Sequence, residues 1–227
     1  MCGRFVSKAE KKKIEKEFNV KIGDESLTAP RFNIAPTQMI AAIAEIKNLR
    51  EVSPFKWGLV PSWAKDDSIG NKLINARAET LREKPPFREA FRSRRCIIPA
   101  SGFYEWQKTS KGVKQPFYFY LKDKEIFGFA GLWEEWLDKE TGELTETCTI
   151  ITTEANEVLK PIHDRMPVIL KNDDYDFWLD EKVKDTSKLQ NLLVPYPAKE
   201  MDSHAVSRSI NNPAANSEEL ITPLNSL

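Results

Sequence analysis

Between residues 96 and 153 one pattern occurs four times: a run rich in β-branched and aromatic residues, closed by a short polar turn. The runs cover 96–106, 116–122, 126–136 and 144–153, separated by Lys-Thr-Ser-Lys-Gly-Val-Lys-Gln, Asp-Lys-Glu and Leu-Asp-Lys-Glu-Thr-Gly-Glu. Such side chains suit a pleated, half-buried surface, and connections this short cannot hold a crossover helix. The pattern predicts successive antiparallel strands. The flanks carry the helices, so the fold class is α+β rather than an alternating parallel-sheet fold.

Ser7 followed by Glu10 reads as a capping box, and Ile14 with Phe18 gives the next helix an apolar stripe. Residues 28–38, with two prolines and no period, read as a loop. Strands follow at 39–46 and, after a Lys47-Asn48 turn, towards 60. Residues 61–63 and 65–71 form loops. Pro85-Pro86 splits a helical pattern over 78–94 into two short helices. A short helix over 154–160 stops at Pro161, strands follow at 166–170 and 204–207, and helices at 172–180 and 185–193. No linker or repeat divides the 227 residues, so one domain spans 1–227, its last ~15 residues a tail.

Composition narrows the function classes. The longest apolar run, 126–133, is far shorter than the roughly 18 residues of a membrane span, and the charged start lacks an apolar leader segment. A cytoplasmic protein without a membrane partner is expected. Three cysteines match no metal or disulfide pattern, so no metal site and no cofactor are implied. Equal numbers of basic and acidic residues, 34 each, argue against bulk electrostatic binding to nucleic acid. Residues 75–96, however, carry a local +4 and residues 171–227 a local −4, which permits one basic face. No heptads mark an oligomer, and a monomer is expected.

Cys2 is the most informative residue. Once Met1 is removed, its α-amine and thiol form a 1,2-aminothiol, which converts an aldehyde to an imine and then closes a thiazolidine ring. An α-amine pKa near 7.8, against about 10.4 for Lys, gives roughly a few hundredfold more free base at neutral pH. Gly3 allows close backbone approach, and Arg4 can hold an anion. In the 73–80 segment, extended backbone would put Asn75 and Arg77 on one side, one for a carbonyl or hydroxyl, the other for a phosphate. The same segment also reads as a helix start, capped by Asn75 with Arg77 in a surface ion pair. Glu105 sits in an aromatic strand, either buried and suited to acid/base work or turned to solvent. His163, between Pro161 and Pro167 and beside Asp164 and Arg165, suits a fixed imidazole. His204 reads as a structural histidine. Trp63 and Pro36, on loops, suit wedging between bases or stacking on them.

Met-Cys-Gly-Arg-Phe at the start, Arg31-Phe32-Asn33-Ile34-Ala35-Pro36, Trp57-Gly58-Leu59-Val60-Pro61-Ser62-Trp63, Asn75-Ala76-Arg77-Ala78-Glu79-Thr80, Gly102-Phe103-Tyr104-Glu105-Trp106 and His163-Asp164-Arg165-Met166-Pro167 follow one another in this order. In this the chain resembles the SOS-response-associated peptidase (SRAP) family from residue 1 to about 212. The resemblance implies a compact domain around a β-barrel-like core that senses abasic sites in single-stranded DNA and caps them as covalent DNA-protein crosslinks. By position it makes Cys2 the crosslinking residue. Asn75 would position the amine and the opened sugar, and Glu105 would assist sugar opening and proton transfer. His163 would act as acid/base in imine chemistry and reversal. Arg4 and Arg77 would bind phosphates, with Asn33, Pro36, Trp63 and Arg165 in the DNA groove. Members often carry a second aromatic after the Trp63 position, where this chain has Ala64. The same residues admit other readings: a thiol peptidase built on Cys2, His163 and Glu105, a non-catalytic single-strand-binding module, and a protein S-acylated at Cys2.

Overall fold

The computed structural model describes residues 2–108 and 112–224. Its first hairpin joins β3 (Met39–Ile46) to β4 (Leu49–Trp57) through Lys47 and Asn48, at φ 53° and 63°. Two left-handed residues in succession match the twist of the flanking strands, as a two-residue hairpin requires. The strands β6 (Arg95–Ala100), β9 (Phe127–Leu137) and β10 (Leu144–Glu154) extend this hairpin in the order β10-β4-β3-β6-β9. β9 then pairs antiparallel with β10, from Leu144 opposite Leu137 to Ile150 opposite Gly131, which closes a five-strand barrel. Only the contact of β10 with β4 is parallel within that ring.

Five further strands build a second, all-antiparallel sheet in the order β13-β8-β7-β1-β2. Its members are β1 (Phe5–Ser7), β2 (Arg31–Ile34), β7 (Gly102–Lys108), β8 (Lys114–Leu121) and β13 (Met201–Ala205). The expected strand at 96–106 is therefore two strands in two sheets. The corner is at Ser101, whose N–H donates to the Val6 carbonyl at 2.7 Å. Gly102 is required beside it, because a Cβ there would lie 2.3 Å from the Tyr118 ring.

Alternation along the barrel strands separates two cores. Ile40, Ala42, Phe55, Trp57, Cys96, Ile98, Phe129, Cys148 and Ile150 join Phe5, Phe103 and Phe119 of the second sheet. The intervening Ile43, Ile97, Ala130, Leu132 and Ile151 pack with helix residues Ile14, Phe18, Phe91, Trp178 and Leu189. Helices do not fit inside a five-strand barrel, so the first set is the interior and the second the outer face. The helices are α1 (Lys11–Phe18), α2 (Arg88–Ser93), α3 (Tyr175–Leu179) and α4 (Thr186–Gln190). None is long and apolar enough to cross a membrane.

Several expectations give way to tertiary pairing. Ser7 does not cap α1: it lies in β1, the cap position is Glu10, and no side chain bonds the helix start. Residues 31–34 are strand rather than loop because β1 offers them an edge. Residues 154–160 are strand end and turn rather than helix. Asn156 caps a single turn, its Oδ1 accepting the Leu159 N–H at 3.1 Å and its carbonyl the Lys160 N–H at 2.9 Å, but Pro161 has no N–H to carry the turn on as a helix. The strand expected at 166–170 divides into β11 (Arg165–Pro167) on β10 and β12 (Ile169–Leu170) on β9, as Val168 crosses between them. The expected tail is packed as far as it is described: Leu220 is 2% exposed and Asn216 Oδ1 accepts the Phe32 N–H at 2.7 Å. The turn expected around 108–115 includes residues outside those described.

Candidate functional site

Gly58 (φ 132°) sets the site's floor by ending β4 against Gly70, whose carbonyl oxygen would lie 2.6 Å from any added Cβ. Along β10 the place of β4 is then taken by the parallel strand β5 (Asn75–Arg77), Ile150 opposite Asn75. Asn75 and Arg77 therefore sit on extended backbone; a short 3-10 turn starts only at Ala78, with Arg77 rather than Asn75 at its cap position.

The N-terminal residues arrive over this floor. β1 pairs with β2 on one side and β7 on the other, and the Tyr104 N–H donates to the Arg4 carbonyl at 3.0 Å. That bond extends the ladder N-terminally and lays residues 2–4 alongside β7. Phe5 anchors it: 1% exposed, its ring stands edge-on to Trp57 and Phe129, with centroids at 5.3 and 5.9 Å.

Cys2 is fully buried in the barrel core, its Sγ 4.0 Å from the Arg4 carbonyl. Burial, reinforced by the nearby Glu105 carboxylate, pushes its thiol well above the usual range, so the sulfur is protonated at neutral pH. Asn75 Nδ2 donates to the Cys2 carbonyl at 2.9 Å. Asn75 Oδ1 is buried and has no hydrogen-bond partner among the described residues. A buried acceptor left unmade is costly and marks a place for a donor.

Glu105, on β7, is 3% exposed, so the solvent-facing reading does not hold. His163 lies in the loop between β10 and β11, held by its N–H to the Leu159 carbonyl. Its Nδ1 accepts the Arg165 N–H at 3.0 Å and lies 3.0 Å from Asp164 Oδ1. Gly3, Arg4, Glu105 and His163 line one cavity of about 640 Å³. Four residues separated by up to 161 positions thus meet within one region: Cys2, Asn75, Glu105 and His163.

The remaining expected contacts divide. Arg4 reaches the cavity, but its Nη1 also donates to Asn33 Oδ1 at 2.7 Å and the Ile210 carbonyl at 3.2 Å. Asn33 is 4% exposed and its amide donates to the carbonyls of Ile210, Asn212 and Ala215. It has no open face for DNA, and instead ties Arg4 to the C-terminal segment. Arg77 is exposed. Arg165 forms a two-pronged ion pair with Glu79, at 2.8 and 3.0 Å, and donates to the Thr152 carbonyl. Burial works to raise the Glu79 pKa, but the Arg165 hydrogen bonds outweigh it and hold the carboxyl below its ordinary value. Pro36 is half-buried in the turn before Thr37. Trp63 is 59% exposed and lines a different cavity, with Lys56, Asp66, Asp67 and Trp136. His204 is structural: its Nε2 lies 2.8 Å from the Ile221 carbonyl and its ring packs on Tyr118 and Tyr120.

The basic stretch at 75–96 is not one track. Arg95 is 3% exposed, donates to the carbonyls of Trp178, Phe91, Arg92 and Asp180, and is lowered by burial to about 10. Arg94 pairs with Glu134 at 2.7 Å. Sequence reading missed the residues that do rim the cavity: Trp106, Lys108, Lys114, Arg208 and Asn211. Trp106 Nε1 donates to Asn211 Oδ1 at 2.9 Å, a contact across 105 positions that only the sheet order brings about.

The SOS response associated peptidase (SRAP) family model matches residues 1–213. Abasic site processing protein YoqW of Bacillus subtilis (strain 168) is 47% identical over 222 residues, covering 97% of this chain and 99% of that protein. Abasic site processing protein HMCES of Gallus gallus is 33% identical over 198 residues, covering 77% of this chain and 58% of that protein. A crystal structure of a protein from Bacteroides thetaiotaomicron superposes with a TM-score of 0.90 at 30% identity, covering 98% of this chain and 100% of that one. A match over nearly the whole chain, with relatives this similar, shows that the chain belongs to the SOS response associated peptidase (SRAP) family.

Proposed function

We propose that this protein captures abasic sites in single-stranded DNA as a thiazolidine crosslink through Cys2, exposed as the N-terminal residue by loss of Met1. One observation carries the reading: the Cys2 backbone is held by Asn75, whose other amide atom is a buried acceptor awaiting a donor. A liberated Cys2 α-amine is such a donor. The names of the relatives, abasic site processing proteins, point to the same lesion.

The chemistry balances without a cofactor. The ring-opened sugar presents an aldehyde, the Cys2 amine adds to it, and water leaves as the imine forms. The thiol then adds to the imine carbon, its proton passes to nitrogen, and the ring closes. Glu105, beside the thiol, is placed to take and return protons in sugar opening and ring closure. His163 serves as proton donor to the departing hydroxyl and acts again in reversal. A simple imine would hydrolyse or lead to strand cleavage, so sulfur is what makes the product durable.

A thiol peptidase needs a cysteine with a depressed pKa beside its base. Cys2 is buried and its thiol is shifted the other way, which weighs against peptide turnover in trans.

Arg77→Ala should weaken binding to single-stranded DNA and reduce the dependence of log K on log salt by about 0.7, the value for one lost phosphate contact. Titrations across a salt series measure it, and an unchanged slope removes Arg77 from the phosphate contacts. His163→Ala should slow crosslink formation or reversal with an unchanged melting temperature. Wild-type kinetics in both directions would exclude the role. The reading as a whole is tested by incubating the protein with a single-stranded abasic oligonucleotide and resolving heat-stable adducts on a denaturing gel, where no adduct refutes it.

A further inference from the structure

Lys108 and Lys114 stand directly opposite each other at the end of the β7–β8 ribbon. Like charges paired across strands are destabilising, so the sheet carries a repulsive pair where neutral residues would be better for the fold alone. Both are exposed, as is Arg208, and all three line the cavity that contains Glu105 and His163. No salt bridge neutralises any of them among the described residues, in contrast to Arg50, Lys56, Arg94 and Arg165. Trp106 shares the face of β7 that carries Lys108 and is half-buried in the lining of the same cavity.

Resting on the reading proposed above, we infer that Lys108, Lys114 and Arg208 form a phosphate fork that grips one flank of the lesion-bearing single strand. Arg77, on β5 two residues from Asn75, is not among the residues lining this cavity, so the fork and Arg77 are separate phosphate contacts. The repulsion between the two lysines is relieved when a phosphate sits between them, so the fork favours the bound state without an ion pair to break.

The test uses a single-stranded oligonucleotide with a central tetrahydrofuran, an abasic analogue with no aldehyde, so that binding is read without crosslinking. The combined Lys108→Gln, Lys114→Gln, Arg208→Gln variant should reduce the salt slope of log K by about 2, three contacts at roughly 0.7 each. A control variant, Lys12→Gln, Lys16→Gln, Lys21→Gln, changes three exposed lysines on and after α1 and should keep the wild-type slope. The deficit of the fork variant should disappear on an oligonucleotide truncated on one flank and persist on one truncated on the other. Its melting temperature should equal or exceed that of the wild type, because a repulsive pair has been removed. An unchanged slope, an equal loss in the control, or the same deficit with either truncation overturns the fork. Failure of the wild type to crosslink an aldehyde-bearing abasic oligonucleotide is a separate readout, and overturns the function on which the fork rests.

Discussion

Cys2→Ala abolishes covalent capture of an abasic oligonucleotide, while Cys96→Ala and Cys148→Ala retain it. The two internal cysteines are fully buried, lie in the barrel interior, and offer no amine beside the sulfur. Their loss costs packing, not chemistry, so adduct yield at a temperature below each variant's melting point should match wild type. Cys2→Ser separates the two halves of the aminothiol. It keeps the amine and so still forms an imine, trapped by borohydride, but gives no heat-stable product without reductant. Equal loss of adduct from either internal cysteine would contradict the role of Cys2, and a heat-stable Cys2→Ser adduct would contradict ring closure by sulfur.

Phe5→Ala has the second large effect, and reaches the site through the fold. The ring is 1% exposed and meets Trp57 and Phe129 in the barrel mouth. Truncating a buried Phe to Ala costs about 3–5 kcal/mol, a large share of the roughly 5–15 kcal/mol by which a domain is stable. The same ring seats β1, which lays Cys2 beside Asn75 and Glu105. Denaturant unfolding should therefore show the full loss, and the crosslinking rate measured under native conditions should fall as well. Phe5→Leu keeps most of the apolar volume and should recover both. Stability within about 1 kcal/mol of wild type in Phe5→Ala would show that β1 is not anchored as described.

The antiparallel middle of the chain was legible because alternation and turn residues are local signals. What was not legible was which strand meets which. The corner at Ser101 depends on Val6 and Tyr118, neither near it in sequence, and the barrel closes only when β9 reaches β10. Residues 154–160 show a local cause instead: the turn capped by Asn156 stops at Pro161, which has no N–H to continue it.

For the site, Cys2 was legible from its chemistry, and Asn75, Glu105 and His163 from motif resemblance together with residue type. Their convergence was not, since it needs β1, β5, β7 and the β10–β11 loop in place at once. The motif resemblance places Asn33 in the DNA groove. It lies in a strand, with its amide spent on three backbone carbonyls. The charge count at 75–96 misleads for a related reason: Arg94 and Arg95 are consumed by Glu134 and by helix-end carbonyls, and the cations that rim the cavity beside Arg4 come from 108, 114 and 208.

The most direct test of the central claim is intact mass spectrometry of the purified protein, before and after incubation with a single-stranded oligonucleotide bearing one abasic site. The account predicts a chain lacking Met1, and then a heat-stable species with the mass of protein plus oligonucleotide less one water, mapping to Cys2. A retained Met1 with no adduct, or a processed chain whose adduct is absent or maps to a lysine, would contradict it.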